Sequence, residues 1–284
     1  MATAAYGYCC PNNRSPMSQR DLEKLTHQAV QAVRETAVFL HTEVNRVQFG
    51  QVEEKHLNGL VSYVDRTAEE MLVERLHKIL PEAAFITEED TVEQGKSAEL
   101  QWIIDPLDGT TNYLYGLPHY SVSVGLRAGA NMLIGIVHHV PNNEMFYAWR
   151  NGGAWCNDVP IRVSQRDTLR QALVATGFPY HNFDRADSWF KALRTFIAEG
   201  RALRRYGSAA LDLAYVACGR FDIFFEYGLN SWDVAGGALL VHEAGGRISD
   251  FSGGNTFVDS GEILACSAAV YDAALAIVED AFVV

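Results

Sequence analysis

WIIDPLDGTTN, residues 102–112, sets an apolar strand-like run directly ahead of two closely spaced acids. Trp102-Ile103-Ile104 ends on Asp105, and Asp108 follows, then Gly109 and Thr110. Alone, Asp-Gly is a turn signal, and aspartates are common in turns. Three features point beyond a plain turn. Asp105 closes an apolar strand, a place where functional groups collect in α/β folds. Pro106 stiffens the link between the acids. Gly109 to Asn112 can begin a helix, whose open N–H groups can hold a phosphate. Like charges this close repel, and a divalent cation would turn that repulsion into shared coordination.

Other acids repeat the pattern. Glu88 and Glu89 follow Phe85-Ile86-Thr87, again at a strand end. Asp233 follows Trp232 and starts a helix that runs to Ala244, stopped by Gly245-Gly246. Read singly, Glu88-Glu89 are solvated loop charges and Asp233 is a helix N-cap.

Around these acids, helices and strands alternate. Ser18-Gln19-Arg20-Asp21 resembles a capping box. Leu22, Leu25, Ala29, Val33, Ala37, Leu40, Val44 and Val47 then recur at helical spacing, predicting a long amphipathic helix that ends near Gly50. A second helix is expected after Asp65, with Ala68, Leu72, Leu76 and Ile79 on one face and Pro81 as its stop. Strands are expected at Ala84–Ile86, Trp102–Ile104 and Tyr120–Leu126. Met132–Trp149 reads as a hairpin turning at Pro141-Asn142-Asn143-Glu144. Later come strands near Ala172–Thr176, Ile223–Phe225 and Ile263–Ala265. Helices are expected near Ser188–Glu199, Ala209–Cys218 and Ala268–Phe282. The alternation implies a layered α/β fold. Residues 1–17 read as a loose tail, 18–162 as an N-terminal α+β subdomain, and 163–284 as a C-terminal α/β subdomain.

The 284 residues carry a net charge of -12, which argues against non-specific nucleic-acid binding. An acidic chain can still bind phosphate if metal ions supply positive charge. No apolar run reaches the roughly 18–20 residues a membrane helix needs. The start lacks a basic segment followed by an apolar one, so it does not read as a secretory signal. The five cysteines have no metal-type spacing; Cys9 and Cys10 are adjacent and the others lie far apart. Reduced thiols and a cytoplasmic setting are the expectation.

Taken together, the motifs resemble those of the inositol monophosphatase family of metal-dependent sugar phosphatases. Asp105-Pro106-Leu107-Asp108-Gly109-Thr110-Thr111-Asn112 is similar to its Asp-Pro-x-Asp-Gly-Thr-x-Asn motif. Glu88-Glu89 is similar to its Glu-Glu element. Trp232 to Gly237 with Glu243 to Gly246 resembles its Trp-Asp motif and the Glu-Ala-Gly-Gly that follows. The resemblance runs from about Ser18 to the C-terminus.

It implies an α-β-α-β-α architecture and two or three Mg²⁺ ions. Glu88, Asp105 and the carbonyl of Leu107 would bind the first ion, and Asp105, Asp108 and Asp233 the second. A third would rest on Glu88. The all-oxygen donor set suits Mg²⁺ independently, with no histidine or cysteine in the motifs to favour zinc. The implied reaction is hydrolysis of a small polyol or sugar phosphate by metal-activated water. Glu88, Thr110 and Asp65 would be the catalytic residues, Thr110 and Asp65 orienting the water. Asp65 alone reads as a helix N-terminal acid. Gly109 and Thr110 amides would stabilise charge on the phosphate. Gly207-Ser208-Ala209 and Glu226 would read the substrate's hydroxyls, with Asp108 and Asp233 near the alcohol. Phe224 or Phe225 would supply an apolar wall. Ser208 also reads as a helix cap. Lithium inhibition and a homodimer are implied as well.

Some positions depart from the family pattern. Gly59 stands where aspartate is common, which loosens the loop carrying Lys55. Asn230-Ser231 replaces a residue-proline pair, and Phe221 to Phe225 is unusually apolar. These put the substrate in question, not the metal chemistry. Sister activities on fructose-1,6-bisphosphate, a nucleotide 3′-phosphate or histidinol phosphate share fold and ligands. A non-catalytic accessory protein for RNA or transcription is the alternative from another class. His119, His138 and His139 read as structural. Arg204 and Arg205 read equally as surface residues, subunit contacts or groups facing an anionic substrate.

Overall fold

Ser18 starts the first helix as its sequence predicts: its Oγ accepts the Asp21 amide at 3.2 Å. The computed structural model describes residues 17–44, 46–47, 52–56, 59–95, 97–179 and 183–282. The expected tail falls on residues 1–16, outside that set, except for Met17, which packs on the core. Helix α1 spans Gln19–Glu43, shorter than predicted, because Val44 leaves the helical conformation (ψ 134°) as its C-cap. The expected end at Gly50 lies outside the described residues. A small antiparallel ladder, β1 (Glu53–His56) with β2 (Gly59–Val61), was not foreseen. Lys55, expected on a loop, lies in β1, and residues 57–58 lie outside the described residues.

Helix α2 spans Tyr63–Ile79 and begins two residues ahead of Asp65, because Ser62 is its N-cap. Seven strands follow: β3 (Ala84–Thr87), β4 (Leu100–Asp108), β5 (Ser121–Ala128), β6 (Asn131–His139), β7 (Glu144–Trp149), β8 (Ala154–Cys156) and β9 (Val159–Ile161). They form one sheet in chain order, β3 parallel to β4 and every later pair antiparallel. The predicted hairpin is β6–β7, closing at His139 opposite Glu144. The short helix α3 (Thr110–Leu114) leaves the end of β4.

The second sheet takes β10 (Leu173–Thr176), β11 (Ala202–Arg204), β12 (Ile223–Tyr227), β13 (Arg247–Ser249) and β14 (Glu262–Cys266) in the order β11-β10-β12-β14-β13. Strands β11, β10 and β12 are parallel; β14 is antiparallel to β12 and to β13. The remaining helices are α4 (Ala186–Glu199), α5 (Ala209–Ala217), α6 (Ser231–Glu243) and α7 (Tyr271–Phe282).

Helices α1 and α2 pack on one face of the first sheet. Helices α5 and α6 lie between the sheets, and α4 and α7 cover the far face of the second. The result is an α-β-α-β-α sandwich. Strands covered on both faces read as continuous apolar runs rather than alternating ones. Trp102 and Ile104 belong to the outer core with Leu22 and Leu72, whereas Ile103 between them belongs to the central core with Leu213 and Leu240. In β12 the pleat sends Phe224 into the central core and Phe225 into the third, with Trp189 and Phe196.

Helix α6 rides directly on backbone. Gly125 pairs with Gly135 across β5 and β6, and Gly236 lies over them. A Cβ on Gly236 would sit 2.7 Å from the Ile136 carbonyl oxygen and 2.7 Å from Ser123 Oγ. The Ala-Gly-Gly after Asp233 is therefore a packing requirement.

Candidate functional site

Two residues of β5 set the geometry of the acids in β4. Asp105 lies opposite Ser123 and Asp108 opposite Ser121, so β4 carries one residue more than its partner over this interval. In an unbroken strand, residues three apart face opposite sides. The bulge returns Asp108 to the face of Asp105. That face meets the start of α6, where Ser123 Oγ donates to the Trp232 carbonyl at 3.1 Å.

The parallel register of β3 with β4 brings in the next acid. Thr87 lies opposite Ile104, and the Glu88 amide continues the ladder by donating to the Ile104 carbonyl at 3.2 Å. Glu88 thus stands beside Asp105. The loop beyond is held by Glu69 of α2, a buried acid that sequence reasoning missed. It accepts the Glu89 amide at 2.7 Å, the Thr91 amide at 2.9 Å and Thr91 Oγ1 at 2.7 Å.

Asp65 and Asp233 are third residues of their helices rather than helix-starting caps. Asp65 Oδ2 accepts the Ser62 amide at 2.8 Å and Ser62 Oγ at 2.7 Å. Its Oδ1 accepts Thr110 Oγ1 at 3.1 Å, which also lies 3.0 Å from the Leu107 carbonyl. Asp233 Oδ2 accepts the Asn230 amide at 2.6 Å. Both reach back to the chain entering the helix, the capping-box arrangement, and this fixes the carboxylates firmly. The signals Ser62-x-x-Asp65 and Asn230-x-x-Asp233 were present in the sequence.

Asp108 Oδ2 accepts Ser208 Oγ at 2.6 Å, the Ala210 amide at 2.8 Å and Ser121 Oγ at 3.4 Å. Ser208 is the N-cap of α5, so Asp108 is bound to the start of that helix. Ser208 is buried and engaged there, while Gly207 bends the chain into the helix at φ +90°.

A cleft of about 760 Å³ opens over these groups. Glu88, Asp108, Gly109, Thr110, Gly207, Ser208, Ala209, Glu226 and Asp233 line it. Asp105, Leu107 and Asp65 lie below its floor, buried. It sits where β3, β4, β10 and β12 end, the usual location for ligands in such sheets. Glu226 neighbours Gly177 across the β10–β12 ladder, and a Cβ at Gly177 would overlap the Glu226 carboxylate. Phe224 and Phe225 do not supply the expected apolar wall, because both are fully buried in cores. Phe178, Leu229 and Trp232 line the cleft instead. Arg205 also lines it, 5.3 Å from the Phe178 ring centroid, whereas Arg204 is exposed.

Burial pushes the Asp105 carboxyl well above its ordinary range, and the charges of Glu88, Asp108 and Asp233 push it further. Asp108 rises to about 6 through burial, against the opposing bonds from Ser208 and the α5 amides. Asp233 is raised well above its range by burial, then by Asp108 and Glu88. Asp65 is raised by burial and pulled back by Ser62 and Thr110. Glu226 rises to about 8 by burial, with Arg205 opposing and Asp108 adding.

The charges acting most strongly on Asp105 are thus all negative. Mutual repulsion among oxygen donors is the condition that a hard divalent cation relieves. The residues therefore fit Mg²⁺ by chemistry. They do not form a finished cage: among the described residues no three His, Cys, Asp or Glu side chains converge closely enough to hold an ion. The aspartates instead accept the amide and hydroxyl bonds described above.

The sequence model of the inositol monophosphatase family matches residues 21–281. This chain belongs to the inositol monophosphatase family. Among relatives, an inositol-1-monophosphatase of Mesorhizobium japonicum is 39% identical over 236 residues, 83% of this chain and 89% of the relative. A protein named Nus factor SuhB from Pseudomonas aeruginosa is 38% identical over 262 residues, 91% and 97% of the two chains. The solved structure of the Thermotoga maritima inositol monophosphatase matches with a TM-score of 0.81 at 32% identity, covering 91% and 98%. The Bartonella henselae SuhB structure matches at 0.85 and 37%, covering 90% and 98%. The α-β-α-β-α sandwich is thus the inositol monophosphatase fold; Glu88, Asp108 to Asn112 and Trp232-Asp233 line its cleft, whereas Glu243 lies at the far end of α6 and accepts the Asn151 and Gly153 amides.

His119, His138 and His139 are not among the residues that line that cleft. His139 Nδ1 lies 3.1 Å from Tyr215 Oη, and His119 stacks edge-on against His139. Burial lowers His119 and His138 to about 4. Cys156, Cys218 and Cys266 are free thiols, while Cys9 and Cys10 lie outside the described residues. No helix among the described residues is long and apolar enough to cross a membrane.

Proposed function

We propose that this protein is a Mg²⁺-dependent phosphomonoesterase for a small polyol or sugar phosphate, with myo-inositol monophosphate as the reference substrate. The observation that carries the proposal is the clustering around Asp105 of Glu88, just past β3, Asp108 of β4 and Asp233 of α6, each of which raises the Asp105 carboxyl, at a cleft beside the Thr110–Asp65 pair. Glu88, Asp105 and the Leu107 carbonyl would hold one ion, and Asp105, Asp108 and Asp233 a second, with Glu88 also serving a third. Bound Mg²⁺ would polarise water and offset charge on the phosphoryl oxygens.

The chain's own groups do the positioning. Thr110 Oγ1 can accept a proton from the attacking water while its own proton moves toward Asp65 Oδ1, 3.1 Å away. The Gly109 and Thr110 amides are the proposed phosphate contacts. Glu226, which lines the cleft, reads the alcohol. One P–O ester bond breaks, one P–O bond to water forms, and the alcohol leaves with a proton. The proposal extends to lithium inhibition, a homodimer and a cytoplasmic setting.

Phosphate release should be measured over inositol, sugar, nucleotide and amino-alcohol phosphates, with and without Mg²⁺. Metal-dependent release that favours small polyol phosphates is expected. A folded protein with no metal-dependent release on any of them would overturn the proposal. The Nus factor name borne by relatives such as that of P. aeruginosa favours a second reading, an accessory role in transcription. That silent assay is the result it requires, whereas turnover in single-cycle ¹⁸O-water with label in phosphate supports direct hydrolysis.

A further inference from the structure

Helix α5 is apolar from end to end except for one residue. Ala209-Ala210-Leu211-Asp212-Leu213-Ala214-Tyr215-Val216-Ala217 is buried throughout, and Asp212 is 1% exposed. Its Oδ1 has no hydrogen-bond partner among the described residues. Yet Asp212 lines the cleft together with Glu226 and Arg205. A carboxylate stripped of water and left unpaired is costly. Here the cost is raised by neighbours of the same sign, Glu226 and Asp108, with only Arg205 opposing. Asp212 makes none of the bonds that hold Asp108 to the helix start; Ser208 and the Ala210 amide do that. A group that weakens its surroundings and performs no structural bond through Oδ1 marks a position kept for a ligand.

We infer that Asp212 is a specificity-determining residue, which with Glu226 forms a two-carboxyl wall that accepts hydrogen bonds from hydroxyls of a polyol leaving group. This rests on the phosphatase reading and names the part of the substrate that the wall selects. Arg205 acts on both acids and lowers both. Its guanidinium already supplies the local positive charge, so an ammonium group would meet a like charge. Neutral hydroxyls suit the wall better. Gly177 keeps the space for the Glu226 carboxylate, and Phe178, beside it, carries the Arg205 side chain on its ring.

The experiment compares Asp212→Asn and Asp212→Ser with the wild type, each as the full chain with Mg²⁺. Substrates are myo-inositol 1-phosphate and p-nitrophenyl phosphate, which has no hydroxyl for the wall. Melting temperature is measured alongside. Calorimetric titration with myo-inositol 1-phosphate, without added metal, gives a readout separate from turnover. The expected result is a loss of about tenfold in kcat/KM on the inositol phosphate, mainly through KM, with the aryl phosphate unchanged. Weaker calorimetric binding and an unchanged or higher melting temperature should accompany it. An equal loss on both substrates, a lowered melting temperature with that loss, or unchanged inositol-phosphate kinetics would overturn the inference and leave the phosphatase reading intact. If the wild type hydrolyses neither substrate, the phosphatase reading fails. The calorimetry then decides for Asp212: weaker binding in both variants upholds the hydroxyl wall, and unaltered binding ends it.

Discussion

Gly236→Ala separates stability from catalysis at the helix that brings Asp233 to the metal motifs. The added methyl would lie 2.7 Å from the Ile136 carbonyl oxygen, where ordinary contact starts at 3.4 Å, so α6 must rise from the sheet by about 0.7 Å. Ser123→Ala would relieve only the second close contact, because the first is with backbone. Overpacking of this kind costs about 1–3 kcal/mol. Alanine returns about 1 kcal/mol through its better helix propensity. The net loss is then about 1 kcal/mol, which lowers the melting temperature by only about 2–4 °C in a chain of this size. Catalysis should suffer more. Asp233 lies one turn earlier on the same helix, and displacing a reacting-site group by about 1 Å costs on the order of 100-fold. The assay is kcat/KM on an inositol phosphate with Mg²⁺, paired with a thermal melt. A variant with wild-type turnover and wild-type melting would refute the claim that α6 is seated on backbone. A variant that melts far lower, with activity lost in proportion, would show that Gly236 serves only the fold.

Asp105→Asn should abolish Mg²⁺-dependent turnover yet raise the melting temperature of metal-free protein, since it removes a carboxyl facing three others; near-wild-type turnover would sink the metal assignment. Thr110→Val should lower kcat by about 100-fold or more with little change in KM, because it removes only the hydroxyl that faces Asp65; a pure KM effect would contradict this. Glu226→Gln should weaken hydrolysis of a polyol phosphate by about 10- to 150-fold and spare an aryl phosphate, and Gly177→Ala, which crowds the same carboxylate, should follow it; equal losses on both substrates would assign Glu226 to the fold. In metal-free protein, burial keeps the proton on Glu226 up to about pH 8, well after the unfolded chain has released it, and Asp105 and Asp233 are shifted in the same direction. Stability should therefore fall as pH rises from about 6.5 to 8, up to the Glu226 value of about 8. Below about 6.5 the buried histidines, held neutral in the fold, act in the opposite sense. A melting temperature that climbs over pH 6.5–8 would show the carboxyls to be ionised already.

Motif residues were legible because their chemistry is local: Asp105, Asp108 and Asp233 stand in short stretches whose composition has few other uses. What places them was less so. The bulge between Asp105 and Asp108 depends on how β5 pairs, which no stretch of β4 states. The starts of α2 and α6 lie two residues ahead of Asp65 and Asp233; the sequence reading takes each acid as the beginning of its helix, although Ser62 and Asn230 carry capping signals. The strands β8, β9 and β13 have three residues each, too few for a periodicity. Adjacency to Glu226 suggests Phe224 or Phe225 as a cleft wall, but the pleat of β12 sends them into two separate cores. Asp212 and Glu69 went unnoticed inside helices, though a lone acid among alanines and leucines was a usable sign at Asp212.

Each of the three motif aspartates gives one oxygen to the protein. Asp105 Oδ1 takes the Leu107 amide at 2.9 Å, Asp108 Oδ2 takes Ser208 and the Ala210 amide, and Asp233 Oδ2 takes the Asn230 amide. Carboxylates tethered this way keep one oxygen fully open, which disfavours a two-oxygen grip by any one ion while leaving Asp105 able to serve two. Denticity then becomes a size filter. Calcium seeks about six to eight oxygens and often grips both atoms of one carboxylate, whereas magnesium completes a small octahedron from single oxygens and retained waters. The amides that hold these aspartates would thus sort cations before any reaches the cleft floor.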